Sequence, residues 1–336
     1  MRTYFDTALV CAVAVLIAQL ALPAVQAHSG PHVASRPHDR FPVNATTLEG
    51  HNRATDTQIA LTTALTNTLT PTAYLPIVIG GTRMLTNTDG CPITSTAQYS
   101  LISFQGGAYK GNRLTDENAD LRLSVLGYVS NTTTTSAALT LVDYNGATDP
   151  NAPRLHGIFE PNRIPKFKNN YQRRDWNWNE TGAPPYGTPG SANNDWPVSV
   201  LDMTATKGEG IYIPERSQTN SGLNTQAMLL YAGDNEVMLA YGDQDRPDSG
   251  YVIYIANFCV DPQLIALYRA QLKDGKRNTG KLPAIRNNEK IGVARSDVVT
   301  VAIRDNGPFL DPRSRKDWWQ GIVLNSVENE QWVVGH

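Results

Sequence analysis

Cysteine and histidine are scarce in this chain, with three cysteines and six histidines among 336 residues. Four of the histidines, His28, His32, His38 and His51, share one early polar stretch, which leaves only His156 and His336 beyond it. The body of the chain is thereby starved of ligands for a zinc site and of the imidazole that a Ser/His/Asp or Cys/His catalytic set needs. Charge is low as well: 18% of residues are charged, 29 basic against 31 acidic, for a formal net charge of -2. That balance offers neither a phosphate-neutralising surface nor a single-sign field, so no nucleic-acid partner is expected. Beyond the N-terminus no apolar run approaches the roughly 20 residues that cross a bilayer, so no membrane span is expected. What the chain does have is 40% hydrophobic residues, enough to bury a core, and a length that fits about two domains.

The one apolar run, Ala8 to Leu22, follows Arg2 and ends in Pro23-Ala-Val-Gln-Ala27. Small residues three and one before a cut after Ala27 make residues 1–27 a secretory signal peptide, and the mature chain is expected to be secreted, extracellular or at a cell surface. Cys11 leaves with that signal. Cys91 and Cys259 remain as a pair in an oxidising compartment and are expected to form a disulfide. Asn44, Asn131 and Asn179 each open an Asn-x-Thr sequon, which makes them candidate glycosylation sites in a eukaryotic host. Cleavage would leave His28 as the first residue, an arrangement able to chelate copper. Its companion histidines lie in a stretch without apolar periodicity, so the cluster reads as solvated, and no metal or cofactor is expected.

Residues 28–57 read as a flexible arm. Ile59, Leu61, Leu65 and Leu69 then fall on odd positions, a period of two that suits a strand. Tyr74 to Ile79 carries Pro76 and belongs at a sheet edge or a strand start. Further strands are expected at Leu121 to Tyr128 and Ala138 to Tyr144, whereas Asn145 to Asn194 shows no convincing element. After Trp196 the pattern is regular, with strands at Val198 to Met203, Gly210 to Pro214, Ala227 to Tyr231, Glu236 to Tyr241, Gly250 to Phe258 and Asp297 to Arg304. One helix stands out near residues 261–272, where Asp261 can cap it and Pro262 suits its first position. The expectation is a mainly β protein of two β-rich domains. A sandwich-like N-terminal domain covers residues 58–160, a loop-rich junction 161–195, a C-terminal β domain 196–320 and a tail 321–336.

Candidate chemistry is sparse. Asp243, Asp245 and Asp248 share one loop, but the spacing lacks the glycine and terminal Glu of a calcium loop and reads as an acidic hairpin. Tyr171, Arg173, Arg174, Trp176 and Trp178 form one aromatic and hydrogen-bonding cluster, and Arg313, Arg315, Trp318 and Trp319 another. Aromatic faces beside such donors are what sugar rings stack on. Packing between the two halves is the competing, and stronger, account of the same rings.

Val298-Val-Thr-Val-Ala-Ile-Arg-Asp-Asn-Gly307, followed by Phe309-Leu-Asp-Pro312, resembles the closing segment of the lysostaphin-like zinc endopeptidases, and Leu282 to Gly292 resembles their approach to it. The similarity covers roughly Trp196 to Asp317. Where that family carries His-x-His this chain has Val298 and Thr300, and where it carries His-x-x-x-Asp this chain has Val198 and Asp202. The resemblance therefore implies a retained sheet and a lost metal. Taken whole, the chain also resembles a little-characterised family of secreted, mainly bacterial proteins, through segments such as Cys91-Pro92, Leu123 to Tyr128, Asp149 to Pro153, Cys259 to Pro262 and Asp311 to Trp319. That likeness implies no established activity and agrees with pairing Cys91 to Cys259.

These features point to a secreted, non-catalytic structural or adhesive protein that recognises glycans or copies of itself. In one version the strand Ile59 to Leu69 completes a neighbour's sheet edge to give a filament; pairing within its own subunit is the favoured alternative. The competing function is a cell-wall polymer hydrolase in which carboxylates such as Asp202, Asp243 or Asp245 do the acid-base work.

Overall fold

The structure, a computed structural model, describes residues 85–104, 109–131, 138–179, 183–216, 225–242, 244 and 246–322. The expected signal peptide, arm, strands at Ile59 to Leu69 and Tyr74 to Ile79, Asn44, Asp243, Asp245 and most of the tail lie outside the described residues. The protein is mainly β, built on antiparallel sheets. Its strands are β1 (Ser100–Ser103), β2 (Tyr128–Ser130), β3 (Phe167–Trp178), β4 (Gly187–Ala192), β5 (Val200–Thr204), β6 (Gly210–Tyr212), β7 (Thr225–Ala232) and β8 (Glu236–Ala240). They continue with β9 (Tyr251–Ala256), β10 (Phe258–Val260), β11 (Leu272–Lys273), β12 (Lys276–Arg277), β13 (Lys281–Arg286), β14 (Lys290–Ala294), β15 (Val298–Asp305) and β16 (Phe309–Leu310). Three helices complete the set: α1 (Leu123–Leu126), α2 (Pro262–Arg269) and α3 (Arg315–Trp318).

The main sheet runs β1-β13-β7-β8-β9-β15-β5-β3-β2, with β16 added to β15 and β4 to β3, and a smaller sheet runs β10-β14-β6. Every residue of β7 and β8 is buried, so both faces of the sheet centre are covered. This is why Ala227 to Tyr231 and Glu236 to Tyr241 read as near-continuous apolar runs rather than alternations. Helix α2 packs on β7 and β13, with Leu264, Ile265 and Tyr268 turned inward. Asp261 caps it as expected, accepting from the Gln263 amide at 2.9 Å, with Pro262 at the first turn.

Several expectations need correction. The separation into two β domains about residues 161–195 is not confirmed: among the described residues β1 and β2 join the same sheet as the later strands. The supposed loop-rich junction supplies β3, whose first half, Phe167 to Tyr171, pairs with β5 inside the sheet. Its second half, Arg174 to Trp178, leaves as a two-stranded ribbon with β4. Pro189 and its glycine neighbours confine β4 to that edge.

Leu121 to Tyr128 is not one strand. Leu123 and Leu126, three apart and both buried, face the core as the helical turn α1, and Gly127, at φ 76°, ends it before β2. The turn is set from outside: the Glu236 carboxylate accepts from the Ser124 amide at 3.1 Å and from Arg122 Nε at 2.6 Å. Ala138 to Tyr144 keeps a single parallel bridge, Val142 to Ser314, because its partner is a knotted turn and not a strand.

Cys91 and Cys259 form the expected disulfide, with Cα atoms 5.3 Å apart across 168 residues of chain. It ties the exposed strap Leu85 to Tyr99 to β10. Gly292 permits the close approach of β14 to β10, since a Cβ there would collide with the Cys259 carbonyl oxygen.

Candidate functional site

The aromatic and arginine residues expected to bind divide into a buried group and an exposed one. Trp318 and Trp319 are 2% and 3% exposed and donate their indole N–H groups to the carbonyls of Asp311 and Pro312, both at 2.9 Å. Arg313, equally buried, places Nη2 2.7 Å and Nε 3.0 Å from the two oxygens of Asp311 and donates Nη1 to the Ala138 carbonyl at 2.7 Å. Tyr144 donates to the same carboxylate at 2.7 Å. This set is a buried polar knot, and its burial withdraws Arg313, Trp318 and Trp319 from any ligand-facing surface. Arg315 pairs outside it with Asp143.

The exposed group lies on the β3–β4 ribbon. Alternation along β3 puts Arg174, Trp176 and Trp178 on one face and Tyr171 and Arg173 on the other. Trp176 is partly buried and meets Trp178 edge-on at 6.0 Å between ring centroids. Trp178 is 36% exposed, one of four large apolar residues so open among the described residues. The turn at Tyr109 to Arg113 lies across it: Lys110 Nζ sits 4.1 Å and Arg113 Cζ 4.4 Å from the indole centroid. Lys110 also pairs with Asp120 at 2.5 Å, and Tyr186 fixes the turn by accepting from the Leu114 amide through its hydroxyl at 2.7 Å. The indole is thus held by two cations, each contact worth roughly 0.5–1 kcal/mol at an exposed site. Lys110, Arg113 and Tyr186 were not singled out from the sequence; an aromatic and two cations in a Gly- and Asn-containing turn are the only local hint.

Arg173 lies on the opposite face, paired with Asp175 at 3.0 Å and with its guanidinium 5.0 Å from the Phe309 ring. Tyr171 belongs to a second polar set, a cross-strand row of Glu236, Ala256, Thr300, Asp202 and Asn169 on β8, β9, β15, β5 and β3. Asp202 is 5% exposed and accepts from Thr300 Oγ1 at 2.5 Å, Tyr171 at 2.8 Å and Asn169 at 2.9 Å. Burial, then the bond to Asp202, pushes the Tyr171 hydroxyl well above its usual range and keeps it a donor. Asp202 and Thr300, two of the positions that the zinc-peptidase resemblance singles out, are therefore cross-strand partners within a closed hydrogen-bond set. Asp248, the described member of the acidic loop, is held by Arg246 at 2.9 Å, which pulls its carboxyl below the usual range.

Asn131 and Asn179 donate their side-chain amides to the carbonyls of Pro197 and Pro185 at 2.5 and 2.8 Å, so a glycan on either nitrogen would replace that bond. Two clefts of about 300 Å³ each flank the disulfide-bound strap, one beside Ile93, Ile265 and Arg269, the other between Thr94 to Ala97 and Lys290 to Val293. No helix among the described residues is long and apolar enough to cross a membrane. Comparisons with protein-family models, with curated proteins and with solved structures find no match to this chain.

Proposed function

We propose that the chain is a secreted, non-catalytic extracellular protein, structural or adhesive, that works by recognising glycan through the β3–β4 ribbon. The observation that carries this reading is Trp178, a partly exposed indole beside Lys110 and Arg113 at the last pair of a ribbon that leaves the main sheet. A ring fixed before binding loses little side-chain freedom on contact, and the flanking cations supply donors for ligand oxygens. The disulfide fits an oxidising, extracellular compartment, in keeping with the signal-like N-terminus. The hydrolase reading finds little support in Asp202, which is buried and engaged by three donors.

Affinity electrophoresis through gels containing soluble polysaccharides, with analysis for cleaved product, tests the proposal. The wild type should be retarded without releasing product, and Trp178→Ala should migrate as in a plain gel. Product release would favour the hydrolase, and equal retardation of Trp178→Ala would discard the ribbon as the site.

Self-assembly is a second reading, supported by β1. That strand ends the main sheet, and among the described residues no strand pairs with its outer edge. If Ile59 to Leu69 of a neighbouring copy supplies it, deleting residues 28–69 abolishes assembly; an unchanged particle mass by light scattering rules it out.

A further inference from the structure

We infer that the polymer recognised at the β3–β4 ribbon is an acidic polysaccharide, bound through its carboxylates. The inference rests on the reading of the ribbon as a glycan surface and adds the chemical class of the glycan. Around Trp178 the donors outnumber the anions available to them. Arg113 forms no ion pair among the described residues, and its Nη1 is buried with no acceptor. Trp176, one step along the same face, has its indole N–H buried against Gly187 of β4 and offers a ligand only its ring. Arg174, the next residue on that face, donates Nη1 to the Gly190 carbonyl at 2.8 Å and meets no carboxylate among the described residues. Only Lys110 has a carboxylate partner, Asp120.

A guanidinium without a carboxylate partner leaves its capacity for charge-assisted bonds unused. A neutral sugar could cover the indole but would leave two guanidinium charges unmatched. A carboxylate presents two oxygens in the geometry that a guanidinium fork accepts, and charge-assisted bonds of that kind are the stronger ones.

The test compares polygalacturonate with the same polymer fully methyl-esterified, which keeps the backbone and removes the charge, and adds alginate as a second acidic polymer. The inference expects an acidic polymer to bind at least roughly tenfold more tightly than the esterified one, and that binding to weaken by about tenfold between about 20 mM and about 500 mM salt. Arg113→Gln should lose most of the affinity for the acidic polymer while keeping the wild-type melting temperature. If that variant proves unstable, the salt dependence of the wild type decides. Equal binding of the charged and esterified forms overturns the inference but leaves the ribbon as a glycan site. Failure to bind either acidic polymer, with a neutral polysaccharide bound through Trp178, does the same. Absence of binding to any polysaccharide overturns both.

Discussion

Replacing Cys91 and Cys259 together by alanine removes a cross-link that closes 168 residues of chain, a loop that contains every strand from β1 to β9. In the chain-entropy account the bond acts by restricting the unfolded ensemble, and a loop of that length is worth about 5 kcal/mol. The native side adds little, because the strap it tethers is thinly attached. Ser95 donates to Asp261 at 2.6 Å, Tyr99 to the Lys290 carbonyl at 2.9 Å, and Asp89 pairs with Arg295 at 2.8 Å. That ion pair is solvent-exposed and contributes at most about 1 kcal/mol. For a domain of this size, where 1 kcal/mol moves the midpoint by roughly 2–4 °C, the double variant should melt about 10–20 °C below the wild type. Native-state hydrogen exchange should show the strap amides, residues 85–99, losing protection long before those of β7 to β9. A midpoint lowered by less than about 2 °C would refute the reasoning.

Asp311→Ala strands the buried Arg313 guanidinium and should cost about 3–5 kcal/mol by urea denaturation, most of it recovered when Arg313→Met is added. Gly292→Ala drives a methyl group into the Cys259 carbonyl oxygen, backbone that cannot yield, and should cost at least about 2 kcal/mol by the same assay. His156 is 4% exposed and donates Nε2–H to the Gln320 carbonyl at 2.9 Å; burial holds its pKa below the usual 6.5. The unfolded chain therefore takes up the proton first, so stability present above pH 6.5 is lost as pH falls below it, and His156→Gln should lack that loss. A wild-type-minus-variant difference that stays flat from about pH 8 to about pH 5 would contradict this.

The central sheet was legible because burial on both faces forces uninterrupted apolar runs, as in β7 to β9 and β15, and because the Asp261-Pro262 cap is local chemistry. The cysteine pairing followed from setting Cys11 aside with the expected signal, which leaves one pair. What escaped was set by distant partners. Leu123 to Leu126 turns as a helix because Glu236, more than 100 residues later, caps it. β3 is hidden by its Asn, Gln, Arg and Asp, residues that a half-exposed ribbon tolerates and strand propensity disfavours. The exposed site was half legible: Trp176 and Trp178 stood out by type, whereas Lys110 and Arg113 reach the ring only through the fold. The division of the arginines and tryptophans into buried knot and open ribbon is likewise a tertiary fact, since both clusters set tryptophan near arginine and aspartate in sequence.

Hydrogen exchange with and without a saturating acidic polysaccharide tests the ribbon's role most directly. The account predicts new protection confined to residues 109–114 and 174–190, and its loss in Trp178→Ala. Protection centred on Asp202 and Thr300, or binding that leaves the ribbon unprotected, would contradict it.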